Sequence, residues 1–144
     1  KGKLHDTYLK GKSMQIIFGD HVEKVKDRFT VLELDTFKIE GSDFRFKTWC
    51  LVESIPLTEM PLLESLKKIH QDLIDQYRQQ NWGFCKNALE QLQGRFGGEL
   101  DTFYSDLESR IDEYIGNPPD STWTGELIKS LQGPVAGLED VVDA

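Results

Sequence analysis

The chain has 144 residues, 38% hydrophobic and 29% charged, with a formal net charge of −8. This is the composition of one globular domain large enough to bury a core, and it excludes collagen-like, mucin-like and wholly disordered chains. No apolar run approaches the ~20 residues of a membrane-spanning helix.

Residues 1–13, "KGKLHDTYLKGKS", are polar and basic without an apolar signal-peptide segment. They read as a leader or an expression remnant outside the core. "MQIIF" (14–18) predicts a short buried strand. Val22, Val25 and Phe29 recur at helical spacing, so a short helix or turn follows. "TVLELDTFKIE" (30–40) is rich in β-branched and aromatic residues, and its alternation slips between Leu34 and Phe37, which predicts a bulge. Gly41-Ser42 signals a turn. In "DFRFKTWCLVE" (43–53), Phe44, Phe46, Cys50 and Val52 take one side. Residues 30–53 thus read as a hairpin, with 14–18 as a third strand.

The period then changes. Thr58 is placed to cap a helix with Pro61 in its first turn. Leu62, Leu63, Leu66, Ile69, Leu73, Ile74 and Tyr77 form an apolar stripe at 3.6 spacing. Asn81 breaks it. Trp82, Cys85, Leu89, Leu92 and Phe96 begin a second stripe, and Leu100, Phe103, Tyr104, Leu107, Ile111, Tyr114 and Ile115 form a third. Leu66, Leu73, Leu89, Leu92, Phe103, Leu107 and Ile111 are expected in one core. Gly116 and two prolines end the third helix. "ELIKSLQ" is expected to add a last short turn, and 128–144 an acidic tail. The expected fold is α+β: a small antiparallel sheet of about three strands (14–53), then a three-helix antiparallel bundle (58–116), in one domain spanning 14–127.

Gly94, Gly97 and Gly98 invite comparison with a phosphate-binding loop. No Lys-Ser or Lys-Thr follows them and no strand precedes them, so they read as a joint between helices. "GKS" at 11–13 lacks the first loop glycine, since position 6 is Asp6. His5, His21 and His70 build no metal motif: Lys67 stands where a di-iron helix needs Glu, and Asp20-His21 has no companion. His70, on the edge of a stripe, reads as a histidine at the core boundary. There is no nucleophile elbow. Cys50 and Cys85 lie in apolar patterns and read as buried thiols of a reducing cytoplasm, with a single disulfide as the alternative. These features predict no catalytic residue, cofactor or metal.

Charge is uneven. Residues 1–57 hold ten Lys/Arg against nine Asp/Glu, whereas 98–144 hold two against eleven. The acidic last third argues against binding a nucleic-acid backbone. Trp49 and Leu51 share a strand face with Arg45 and Lys47. With helices on one side only, that face would be an apolar patch rimmed by cations, unless residues 1–13 or the 20–29 helix fold over it. Trp123, after the Pro-Pro turn, reads as an anchor or a second interface residue.

"YRQQNWGFCKNALEQL" (77–92) resembles one tetratricopeptide-type helix pair, with Tyr77 in the first helix, Trp82 opening the second and Cys85 at the small-residue position. The longer stretch to "RIDEYIGNPPDSTWTGEL" is similar to the helical tail of class III nucleotide cyclases, which end in a Pro-Pro-x-Trp-x-Gly turn. No cyclase catalytic domain accompanies it. Residues 14–127 as a whole resemble small uncharacterised proteins of marine bacteriophages and bacteria, a resemblance that implies no activity. The leading expectation is a non-enzymatic interaction or scaffold protein that binds a protein partner or itself. The alternative is an enzyme or small-ligand binder with its site between sheet and helices, lined by Asp20, His21 or His70.

Overall fold

The computed structural model describes residues 14–130; the expected leader and the tail from 131 onward lie outside them. β1 (Gln15–Phe18) runs directly into α1 (Gly19–Val25), and β2 (Thr30–Ile39) and β3 (Arg45–Val52) form the expected hairpin. Gly41, with φ +83°, makes the turn that a residue with a side chain would strain. The register of β2 on β3 shifts between Glu33 and Thr36. That bulge explains the slipped alternation, because it lets Leu34 and Phe37, three residues apart, both reach the core.

The sheet order is β1-β3-β2-β4. β1 and β2 are each antiparallel to β3 and so parallel to one another, with α1 as the crossover: a split β-α-β unit. The fourth strand corrects the expectation of a three-stranded, wholly antiparallel sheet. Glu126–Lys129 (β4), expected as a turn within "ELIKSLQ", pairs parallel to β2 over Thr36–Ile39 and crosses the expected boundary at 127. It is a short edge strand with Leu127 packed on the core and Ile128 59% exposed. One inward residue is too little for a periodicity signal.

Residues Leu57–Leu62 form a 3-10 turn rather than the first turn of an α-helix, so Thr58 caps nothing. α2 (Leu63–Arg78), α3 (Trp82–Leu92) and α4 (Asp101–Gly116) follow. α2 ends with Gln80 at φ +61°, the Asn81 N–H bonded to the Gln76 carbonyl and the Gln80 N–H to the Tyr77 carbonyl. This Schellman arrangement normally uses glycine. All seven core residues expected to meet do so in one cluster with Leu34, Phe37, Cys50 and Val52 of the sheet. Leu73, Leu92 and Phe103 have no exposed surface. Side chains so enclosed stabilise the fold by roughly 1.5–3 kcal/mol each.

The glycine joint is as expected. Gly94, Gly97 and Gly98 all take positive φ, and so does Phe96 between them at +53°. The joint's amides are answered from within the chain: the buried Glu59 carboxylate accepts from the Phe96 N–H at 2.7 Å, and Asp101 Oδ1 accepts from the Gly94 N–H at 2.8 Å. Consecutive left-handed residues form an anion-binding concavity. Here the anion is Glu59 itself.

Candidate interaction surface

The second face of β3 is less open than expected. Leu51 is buried, 8% exposed, and Trp49 is half-buried. α1, the crossover that joins β1 to β2, contacts β3. Arg45 and Lys47 are exposed but engaged, Arg45 with Glu126 of β4 at 2.9 Å and Lys47 with Glu33 at 3.5 Å. Trp123 is half-buried among Tyr77, Trp82 and Tyr114, with ring centroids 5.3, 6.3 and 5.3 Å from its own. Its indole N–H donates to the Glu126 carbonyl at 3.2 Å. These rings touch one another, and Trp123 anchors the segment that leads into β4.

Between sheet and helices lie two polar assemblies. His70 is 1% exposed. Its Nε2 is 2.6 Å from the Glu33 carbonyl, which can only accept, so Nε2 carries the proton. Nδ1 is then the acceptor for the Tyr104 hydroxyl at 2.8 Å. Burial lowers the His70 pKa to about 4, against the opposing pull of the Glu33 carbonyl and carboxylate. The same burial pushes the Tyr104 hydroxyl well up. The second assembly is Arg110, bidentate to Asp35 at 2.8 and 3.0 Å, with Asp106 at 3.0 Å and the Tyr77 hydroxyl at 3.1 Å. Burial alone would favour the neutral guanidine, but Asp35 more than reverses this and raises the Arg110 pKa. Arg110 Nε is buried without a partner among the described residues.

Apart from Arg110 Nε, the polar groups of these two assemblies are bonded to others of the same chain, which makes the assemblies struts. Of the three residues expected to line a site there, only His70 is inside. Asp20 and His21 are exposed on α1. Among the described residues no group of three His, Cys, Asp or Glu is arranged to hold a metal ion. Cys50 and Cys85 are buried free thiols, as expected, and burial pushes each up to about 12.

Among the described residues, a cluster of exposed apolar side chains lies where sequence reasoning had not expected one. Leu57 is 86% exposed, Met60 52% and Leu62 45%, all on the 3-10 turn. Leu62 had been expected to face the core at the start of the α2 stripe. Glu59, buried between them, fixes the turn through its bond to Phe96. A cleft of about 440 Å³ opens beside the turn, with Phe29, Ile55, Met60 and Leu63 as its apolar lining. Lys26, Arg28 and Lys67 supply its cations, against Asp27 and Glu53. A second cleft of about 470 Å³ lies on the Glu59 side, between α2 and the end of α3. The available signal was Pro56 and Pro61, which bracket Leu57 and Met60 and interrupt helical spacing.

Comparison of the chain with known protein families, with curated proteins and with solved structures finds no match.

Proposed function

We propose that the protein is a non-enzymatic interaction module that docks a protein partner at the Leu57–Leu62 turn and the cleft beside it. The observation that carries this reading is the exposure of Leu57, Met60 and Leu62 on a turn tied to the glycine joint by a buried carboxylate. Solvated apolar side chains on a fixed scaffold are the features of an association surface. The bonding of His70, Tyr104, Asp35 and the Arg110 terminal nitrogens within the chain supports the same reading over a ligand site between sheet and helices. The partner is protein rather than nucleic acid, given the net charge of −8. A reducing compartment such as the cytoplasm suits the two buried thiols. Among the described residues no helix is long and apolar enough to cross a membrane.

The test is a Leu57→Ser/Met60→Ser variant. These side chains lie outside the core cluster, so its thermal midpoint should match wild type. A protein retained by wild type and lost by the variant is purified and titrated against both by calorimetry. Loss of at least about tenfold in affinity supports the docking face. Equal affinity for both chains refutes it.

A further inference from the structure

We infer that the occupant of this cleft is segment 138–143, "LEDVVD", of a second copy of the chain. The inference rests on the docking face proposed above and names its partner. The cleft joins the apolar walls of Phe29, Ile55, Met60 and Leu63 to the cations Lys26, Arg28 and Lys67. In a chain of net charge −8 it is an unusual place to find three cations and two anions. The segment carries the complementary chemistry: Leu138, Val141 and Val142 at i, i+3 and i+4, interleaved with Glu139, Asp140 and Asp143. Apolar anchors at that spacing are how short segments seat in apolar grooves, and opposite charges at the rim fix their register. The cleft's cations are only lightly committed. Lys26 pairs with Glu23 at 2.9 Å and Lys67 with Glu64 at 3.4 Å, both solvent-exposed pairs worth little. Arg28 lies over the Phe29 ring, 5.5 Å from its centroid.

Chain length favours another copy over the same one. Lys129 of β4 stands beside Ile39, and the cleft lies past the other end of β2, beyond Thr30. The strand from Thr30 to Ile39 spans roughly 30 Å at ~3.3 Å per residue. Leu138 is the eighth residue after Ser130, and eight residues reach at most about 29 Å fully extended. The segment's first anchor could thus meet its own cleft only with the intervening chain fully extended and unturned, although β4 points it the opposite way. A second copy has no such limit. If two copies exchange segments reciprocally, the contact closes as a two-fold dimer.

The experiment is sedimentation of the full chain over a range of concentrations, in low and high salt. Wild type should dimerise, more weakly in high salt because the rim charges are solvent-exposed. Leu138→Ser/Val141→Ser/Val142→Ser should weaken the dimer by at least about tenfold. Lys26→Glu/Lys67→Glu should weaken it as well, and adding Glu139→Lys/Asp140→Lys/Asp143→Lys to that chain should restore it. A second readout is Met60→Cys, since Cys50 and Cys85 are buried and residue 60 then offers the fast-labelling thiol among the described residues. Its protection from a thiol reagent should grow with protein concentration. A wild type that remains monomeric throughout, or a tail variant that dimerises like wild type, overturns the inference. Protection at residue 60 that ignores concentration also overturns it, by placing the chain's own segment over the cleft. A tail variant that dimerises normally while Leu57→Ser/Met60→Ser does not would leave the docking face standing with a different occupant.

Discussion

Acidification from pH 7 to pH 5 should destabilise this protein through one residue, His70. The unfolded imidazole titrates near 6.5, and burial holds the folded one at about 4. Above 6.5 both states are neutral and the full stability is present. As pH falls from 6.5 toward 4, the unfolded chain takes up a proton that the folded chain refuses, so stability is lost across that window. Below about 4 the folded imidazole protonates too and the loss levels off. A tenfold difference in proton affinity is worth ~1.4 kcal/mol, so the full effect is roughly 3 kcal/mol, and about 2 kcal/mol of it is expressed by pH 5. Glu33 does not confound this window. Burial alone would raise its pKa, but Arg78, Gln71 and Lys47 hold it below the usual carboxylate range, so its contribution is lost only at lower pH. With a urea m-value of about 2 kcal/mol/M, the unfolding midpoint should drop by about 1 M between pH 7 and pH 5. His70→Gln isolates the cause, because the amide N–H can still donate to the Glu33 carbonyl while nothing at that position titrates. The variant should be less stable than wild type at pH 7, yet lose much less on acidification. A wild-type midpoint that does not move, or a variant that falls as far as wild type, would refute the assignment of the loss to a buried neutral histidine.

Asp35→Ala should destabilise by about 3 kcal/mol in chemical denaturation, because it takes from the buried Arg110 its bidentate carboxylate and leaves it Asp106 and the Tyr77 hydroxyl alone. Asp35→Leu/Arg110→Met should recover most of that loss. Gly125→Ala should cost more than about 1 kcal/mol by the same assay, since φ is +102° and the new methyl would stand 2.6 Å from Arg78 Cγ. Gln80→Gly should raise stability by roughly 0.5–1 kcal/mol by relieving a left-handed residue at the α2 terminus, an upper value because it also removes the bond from Gln80 to the Asp120 carbonyl. Cys50 and Cys85 should react slowly with a thiol reagent in the native state, and fast labelling of both would contradict their burial.

What was legible in the sequence follows the strength of each periodic signal. The three long helices carry stripes of five or more apolar residues, and their core positions meet as expected. The β2 bulge was visible because alternation that slips once leaves a dated mark at Leu34 and Phe37. β4 was not visible, since four residues with one packed side chain have no period to read. Nor does local pattern report which strands become neighbours. The order β1-β3-β2 makes α1 a crossover connection, and Leu51 is buried and Trp49 half-buried on β3. The patch expected there is smaller than its strand register implies, because Leu51 is buried. The turn at 57–62 was missed for a local reason: Leu62 opened the apolar stripe on paper, while Pro56 and Pro61 bracket a 3-10 turn that leaves it exposed with Leu57 and Met60. His70, expected at the core boundary, is fully buried, and its partners Tyr104 and Glu33 are 34 and 37 residues away and leave no trace in spacing.

The placement of the charged network separates stability from binding in this molecule. Glu33, on β2, receives Arg78 at 2.5 Å and Gln71 at 3.1 Å from α2 and Lys47 at 3.5 Å from β3. Arg78 in turn lies against Gly125, immediately before β4, and Glu126 of β4 closes the circuit through Thr124 and Arg45. One carboxylate thus ties together β2, β3 and α2 directly and β4 through a packed side chain. A protein with this arrangement should lose the attachment of β4 whenever Arg78 is displaced, so Gly125→Ala and Arg78→Ala should share their effect rather than add. The 57–62 turn lies outside that circuit and is tied instead to the glycine joint through Glu59. Substitutions at Leu57 and Met60 should therefore change association while the unfolding midpoint stays where it was. A double variant, Leu57→Ser with Gly125→Ala, should show the binding loss of the first and the stability loss of the second, each at full size. Any coupling between the two beyond about 0.5 kcal/mol would show that the docking face and the Glu33 circuit are not independent, and would remove the basis for reading one without the other.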